Sequence, residues 1–161
     1  MAFLTLEDCK AQCRVLDDGD DALLSALRYA AEDAVIAQLN RDVFPDALAL
    51  AGAQAALPET LGAAETAYQA AVAAAAAAAT NDSTKAGFLV EIAHSQRRMA
   101  GLKAARIREG IVINASLLAA MRLMLGHLYA NREAVVTGVT TTELPLGVDA
   151  LVRPYRLVMM P

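Results

Sequence analysis

The middle of the chain, from about residue 45 to 110, is dominated by alanine, and residues 70–79 contain only alanine and one valine. Alanine has the highest helix propensity of the amino acids but buries little surface, so this stretch predicts helices that pack closely together. Pro58 is placed to open a first helix over 58–79, and the Thr-Asn-Asp-Ser sequence of 80–83 is typical of a turn. A second helix over 83–109 would complete a helical hairpin.

Two capped helices are predicted before this hairpin. Thr5 precedes a turn with two acidic residues, which indicates the N-cap of a short helix that ends near Val15. The acidic turn 17–21 is then expected to cap a longer helix that reaches Asn40, because apolar residues recur there every three or four positions. Four charged residues fall off this apolar face and are expected to be solvated or to contact another protein: Arg28, Glu32, Asp33 and Arg41.

The chain after residue 110 predicts the centre of the core. A short extended run at 111–113 precedes a helix that Asn114 or Ser116 can cap, with a broad apolar face and an end near Arg132. Residues 135–142 are β-branched and predict an extended loop, and a last helical turn over 144–151 is stopped by Pro154. The fold class is therefore all-α: a small helical bundle with an inserted alanine-rich helical hairpin and a short extended loop before the C-terminal segment.

The composition excludes several classes of protein. With 57% apolar residues, 4% aromatic residues and no tryptophan, the chain is neither disordered nor suited to a deep pocket lined with aromatic rings. Cys9 and Cys13 are four residues apart, which favours two reduced, partly buried thiols over a redox or zinc site. The N-terminus lacks the pattern of a secretory leader, and the longest apolar run is about half of the ~20 residues that span a bilayer. No association with a membrane is expected.

The sequence contains none of the common catalytic or metal-binding motifs. Neither His94 nor His127 has the acidic or histidine neighbours of a metal site, and no nucleophile-elbow, P-loop or zinc-protease motif occurs. A helical enzyme or metal carrier would need Glu-x-x-His pairs repeated on facing helices, and the chain has none. We therefore expect no catalytic activity, no cofactor and no metal.

Basic side chains cluster on the second helix of the predicted hairpin. They are Arg97, Arg98, Lys103, Arg106 and Arg108. Either this cluster is a solvated helix face paired with local acids, or it is a surface that meets DNA or an acidic protein. A helical DNA-binding regulatory protein is therefore the alternative function, although no tight helix-turn-helix pattern precedes this helix and the sequence pI is near 5.1.

The last residues, 154–161, are almost entirely apolar. They follow a proline that stops the preceding helix, so in water they would expose an apolar patch at a chain terminus, where segments are normally poorly ordered. The segment either packs back onto its own domain or docks into a groove of another chain, where its methionines can adapt to the surface they meet.

Three stretches occur in the order and spacing of a known family. They are residues 4–8 (LTLED) with the acidic turn and long helix that follow, residues 127–135 (HLYANREAV) and residues 144–156 (LPLGVDALVRPYR). Together they resemble the head-tail connector proteins, also called adaptor or head-completion proteins, of long-tailed double-stranded DNA phages and related gene transfer agents. The resemblance covers about residues 3–44 and 111–156. Residues 45–110 depart from it and are interpreted as an insertion in a single connector domain that spans 1–161.

This resemblance implies a structural virion protein of the neck that catalyses no reaction. The subunit would be assembled in the host cytoplasm and would form a ring with itself, in twelve copies, between the portal protein and a tail-proximal stopper or tail-terminator protein. The ring would extend the channel for genome ejection, and packaged double-stranded DNA would pass through it without sequence-specific binding.

The resemblance and the residue patterns together nominate three groups of site residues. The proposed portal-binding residues of the docking tail 154–161 are Tyr155, Arg156, Leu157, Val158, Met159 and Met160. The motif residues expected at a subunit interface are Tyr129, Asn131, Arg132, Glu133 and Arg153, although Tyr129 near a helix end is also typical of a buried ring with a satisfied hydroxyl. The acids that could face the channel are Asp17, Asp18, Asp20 and Asp21.

A closed ring has consequences for the contact surfaces and for the charge of such a subunit. Its contacts are heterologous, so each copy needs two different apolar surfaces besides its core, and the long second helix and the alanine-rich hairpin are the candidates. Twelve copies of a subunit with net charge −4 would carry a formal charge of about −48, which disfavours adhesion of the passing DNA.

Overall fold

The computed structural model describes residues 2–79, 83–131 and 146–157. Its elements are α1 (Leu6–Cys13), α2 (Asp21–Leu39), β1 (Val43–Phe44), α3 (Ala47–Ala55), α4 (Leu57–Ala78), α5 (Ser83–Arg108), β2 (Ile111–Val112), α6 (Ala115–Ala130), α7 (Leu146–Val152) and a 3₁₀ turn (Arg153–Tyr155). The all-α class is confirmed. The chain divides into two compact units, one formed by Met1–Asp46 with Ile111–Pro161 and the other by Ala47–Gly110.

The N-terminal helix α1 begins as its sequence predicts. The Thr5 hydroxyl accepts a hydrogen bond from the backbone N–H of Asp8 at 3.0 Å, and the Asp8 carboxylate accepts one from the backbone N–H of Thr5 at 3.1 Å. The helix ends at Arg14, whose backbone is left-handed. Cys9 is buried and Cys13 is half-buried, both are unpaired, and burial raises the pKa of both thiols.

Helix α6 is the centre of the first unit, as predicted. Its cap is Asn114, whose side chain accepts a hydrogen bond from the backbone N–H of Leu117. The helix packs against α1, α2 and α7. Its fully buried residues are Leu117, Ala120, Met121 and Leu125, and the complete core of this unit is built from residues 3–43 and 111–155. The helix ends at Ala130, slightly before the predicted end, and the extended loop predicted at 135–142 lies outside the described residues.

Two short strands fix the points where the chain leaves and re-enters the first unit. β1 and β2 pair in parallel, with Val43 opposite Ile111 and Phe44 opposite Val112. The sequence predicts an extended run at 111–113 but gives no sign of its partner, because a two-residue strand is too short to show alternation. The segment 47–110 therefore begins three residues after β1 and ends at the residue before β2.

The second unit is the predicted helical hairpin with one additional helix. α4 and α5 run antiparallel, because Glu65 pairs with Arg97 while Tyr68 meets His94. Its buried residues are all alanines, namely Ala75, Ala86, Ala93 and Ala104. Helix α3 was not predicted, and the turn predicted at 80–83 lies outside the described residues except for Ser83. In the part of the chain that the structure describes, no helix is both long and apolar enough to cross a membrane.

Glu32 corrects the prediction for the charged residues of α2. It was expected to be solvated or to meet another protein, but it is only 3% exposed and its Oε1 accepts hydrogen bonds from the backbone N–H groups of Phe3 and Leu4, both at 2.9 Å. Beside it, the Arg28 guanidinium donates to the carbonyl oxygen of Leu4 at 3.1 Å. The backbone groups of Phe3 and Leu4 need hydrogen-bond partners where they are buried, and the side chains of Glu32 and Arg28 provide them.

Candidate functional site

Across residues 2–79, 83–131 and 146–157, no group of three or more His, Cys, Asp or Glu side chains is placed to hold a metal ion. The features with functional potential are surfaces, and there are four of them: the acidic turn before α2, the end of the chain, the outer face of α2 and one face of α5.

The acidic turn before α2 is held by its own partners. The Lys10 ammonium lies 2.6 Å from the Asp18 carboxylate and 2.7 Å from that of Asp21, and these hydrogen bonds raise the pKa of Lys10. The bonds from Lys10 lower the pKa of Asp18, although its side chain is 91% exposed. Asp17 accepts from the backbone N–H of Gly19 at 3.2 Å. The turn is thus an ordered, negatively charged surface, and Leu16 beside it is fully exposed.

Asp20 corrects one prediction and links two predicted groups of site residues. It occupies the N-cap position of α2, but its side chain makes no capping hydrogen bond. It accepts instead from the phenolic hydroxyl of Tyr129 at 2.5 Å, because α6 packs across the N-terminal end of α2. The structure therefore brings a residue nominated for the channel together with one nominated for the subunit interface. The buried-hydroxyl interpretation of Tyr129 agrees with this contact.

The other nominated interface residues are not assembled into one site. Asn131 ends α6, where its backbone N–H and its side chain both donate to the carbonyl oxygen of His127 at 3.0 Å. Arg153 is exposed in the 3₁₀ turn. Arg132 and Glu133 lie outside the described residues.

The beginning of the C-terminal tail is bound to the first unit. The backbone N–H of Leu157 donates to the carbonyl oxygen of Leu39, and the Asn40 side chain donates to the carbonyl oxygen of Leu157, both at 3.0 Å. Tyr155 packs against the core and Arg156 is exposed. Val158, Met159 and Met160 lie outside the described residues.

Helix α2 presents an unusually smooth surface, which we call the α2 outer face. Its exposed residues are Ala22, Ala26, Tyr29, Ala30, Asp33 and Ala37. A surface helix normally covers its solvent side with charged residues, and here a single carboxylate is present. Small side chains let another helix approach closely, so this face is suited to contact with a helix that carries large apolar residues.

Helix α5 presents the opposite kind of surface, which we call the α5 stripe. It consists of Phe88, Ile92, Met99 and Leu102, whose spacings of four, seven and three residues place them on one side of the helix. Phe88 is 68% exposed and Met99 is 50% exposed. The alanines of α5 occupy the buried side, against α4, so its large apolar residues are left in solvent. The periodicity of the sequence could have revealed this stripe, because the alanines and the large residues recur on opposite sides.

The basic cluster of α5 is only partly neutralised. Arg97 lies 2.8 Å from the Glu65 carboxylate and stacks over the ring of Tyr68 at 4.8 Å, while Arg108 pairs with the neighbouring Glu109 at 3.2 Å. No ion pair among the described residues involves Arg98 or Lys103. An open groove of about 480 Å³ passes between Glu91, His94, Ser95, Arg97 and Arg98. Cations therefore flank the α5 stripe.

Comparison with family models matches the chain to the phage gp6-like head-tail connector protein over residues 3–87, which is more than half of the chain. The chain belongs to this family. The connector is accordingly a structural protein of the phage virion, located at the neck and in contact with other head and tail proteins. No curated protein and no solved structure matches the chain.

The matched range differs from the range of the resemblance drawn from sequence motifs. It includes α1, the acidic turn and α2, and it continues through α3 and α4 into the first residues of α5. The motifs at 127–135 and 144–156 lie beyond it. The α2 outer face therefore lies within the matched range, whereas the α5 stripe, which begins at Phe88, lies just beyond it.

Proposed function

We propose that the connector is a ring-forming subunit that joins the portal to the tail and extends the DNA channel. The observation that supports this most directly is the family match over residues 3–87. The ring contains about twelve copies, its tail side binds a stopper or tail-terminator protein, and packaged double-stranded DNA passes through its lumen. The subunits assemble in the host cytoplasm before they join the virion.

The charge and surface of the subunit suit this role. A closed ring needs two different contact faces on each copy, and the chain exposes apolar surface on α2 and on α5. A net charge of −4 per copy favours a lumen that repels DNA phosphates. Asp17 and Asp18, exposed in the acidic turn, are the acids of this set that could line such a lumen.

The portal contact is proposed to lie at the C-terminal tail, 154–161. The bonds of Leu157 to Leu39 and Asn40 hold the start of the tail at the end of α2, so the apolar residues after it would be delivered from a fixed point. Twelve tails that bind together multiply a weak individual affinity.

The interface residues Asn131, Arg132, Glu133 and Arg153 are proposed to stabilise contacts between copies, and segment 45–110 is proposed to be an insertion in the connector domain.

The ring is tested with purified connector and portal. We expect mass photometry and negative-stain imaging to show a ring of connector copies on the portal, and antibody labelling of virions to mark the neck. A chain ending at residue 154 should keep its helical circular dichroism spectrum and lose attachment to the portal. Virions with complete necks that lack this gene product would contradict the proposed function, and attachment by the truncated chain would contradict the role of the tail.

A further inference from the structure

The α5 stripe and the α2 outer face match in shape and length. The stripe is a ridge of four large apolar side chains, and the α2 outer face is a surface of alanines with one tyrosine. The stripe extends over fourteen residue steps from Phe88 to Leu102, about 21 Å, and the α2 outer face over fifteen steps from Ala22 to Ala37, about 22 Å. A ridge of large side chains packs well on a row of small ones, so the two faces form a complementary helix pair.

Their charges are also complementary, and they set the direction of the pair. The acidic turn lies at the N-terminal end of α2, whereas five of the six Lys and Arg side chains of α5 lie in its C-terminal half and Lys85 alone lies in its first turn. An antiparallel pair places the acidic end of one helix beside the basic end of the other. The partial charges of the helix ends favour the same arrangement.

We infer that the α5 stripe of one copy packs antiparallel on the α2 outer face of the next copy. The inference rests on the proposed ring and names the contact that builds it. Because the two faces are different, each copy offers a free α2 outer face and a free α5 stripe, and repetition of the contact generates a ring when the rotation between copies closes. DNA is a poor occupant of the stripe, since its phosphates select cationic surfaces and not a row of Phe, Ile, Met and Leu side chains.

The antiparallel register defines neighbouring residues across the contact. Ala37 lies opposite Phe88, Asp33 opposite Ile92, and Ala26 opposite Met99. Leu16, fully exposed before the N-terminus of α2, extends the apolar surface beyond Leu102. The contact already contains the Asp33 carboxylate, and a glutamate at Ala30 or at Met99 would add a second charge that is desolvated there.

Three variants test the contact. Ala30→Glu blocks the α2 outer face, Met99→Glu blocks the α5 stripe, and Ala74→Glu places the same charge at an exposed alanine of α4, outside both faces. All three positions are exposed on helices and tolerate glutamate, so circular dichroism should show three folded chains. Native mass spectrometry of the full-length proteins then gives the distribution of oligomers.

We expect the wild type and Ala74→Glu to form dimers and larger species, and each of the other two variants to associate on the order of tenfold more weakly or worse. The decisive sample is an equimolar mixture of Ala30→Glu and Met99→Glu. Each variant still carries one intact face, so the mixture should form a dimer with one copy of each and nothing larger.

Three results would overturn the inference. Association of both blocked variants like the Ala74→Glu control would show that other surfaces join the copies. Loss of association in Met99→Glu alone would show that the stripe packs against itself. A wild type that stays monomeric at roughly 1 mM would show that the faces have no useful affinity.

The direction of the pair and the proposed function are tested separately. Mixed Ala26→Cys and Met99→Cys chains should form an intermolecular disulfide, whereas Ala26→Cys with Ile92→Cys, the pair that a parallel arrangement would require, should not; the reverse result would overturn the antiparallel register. If the blocked variants still form rings on the portal, the inference fails and the proposed function stands. If the wild type is missing from virion necks, the proposed function itself fails.

Discussion

At the scale of single residues, Glu32 is a charged side chain that is buried in the first unit. Its carboxylate accepts the backbone N–H groups of Phe3 and Leu4, and Arg28 accompanies it by donating to the carbonyl oxygen of Leu4. A buried backbone donor without a partner costs about 1–3 kcal/mol. A side chain that accepts hydrogen bonds from two such donors therefore contributes more to the free energy of unfolding than an exposed side chain beside it. These bonds hold the residues before α1 against α2.

We expect Glu32→Ala to lower the free energy of unfolding by about 2–3 kcal/mol, because two backbone donors lose their acceptor. Glu32→Gln keeps an oxygen acceptor and should cost less. Asp33→Ala, at the exposed neighbouring position, is the control and should change stability by no more than about 0.5 kcal/mol. Urea denaturation followed by circular dichroism measures all three, and equal stability of Glu32→Ala and Asp33→Ala would contradict the role assigned to Glu32.

At the scale of elements, Asn40 at the end of α2 both terminates the helix and binds the C-terminal tail. Asn40 terminates the helix with a left-handed backbone, φ 56°, and its side chain holds the carbonyl oxygen of Leu157. Asparagine suits both tasks, since it tolerates the left-handed conformation and carries an amide donor. The same residue thus ends one helix and fixes the beginning of the proposed portal-binding tail.

Asn40→Ala should lower the free energy of unfolding by about 1–2 kcal/mol, because it combines a strained backbone with a lost hydrogen bond. Asn40→Gly relieves the strain and loses only the bond, so its cost should be smaller. Both variants should speed proteolytic cleavage after Arg156, measured by mass spectrometry of trypsin digests. An unchanged cleavage rate in both would show that the Asn40 bond does not hold the tail.

At the scale of the whole molecule, the chain is organised around one excursion. The parallel pair β1–β2 places Val43 opposite Ile111, and the core of the first unit is built from residues 3–43 and 111–155. The second unit has its own antiparallel helix pair with an alanine interior. The alanines bury little surface, so its stability depends on close helix contact and high helix propensity.

Replacing residues 47–110 with a Gly-Ser linker of about twelve residues, the length that a connection between parallel strands requires, should leave a first unit that folds on its own. Its urea unfolding should remain a single cooperative transition at lower total helix content. Broad, non-cooperative unfolding of the shortened chain would show that the first unit needs the second.

Much of this fold is determined by the sequence alone. The caps at Thr5 and Asn114, the alanine hairpin and the apolar faces of α2 and α6 are local patterns, and local patterns are set by backbone propensity and side-chain period. The tertiary structure decided what depends on distant groups. It brought Glu32 to two backbone donors, Tyr129 to Asp20, β1 to β2 and Leu157 to Asn40, because each of these partners lies at least 28 residues from the other in sequence. The periodicity of α5 separates its alanines from its large apolar residues, but only the tertiary structure decided that the alanines face α4 and that Phe88, Ile92, Met99 and Leu102 are exposed.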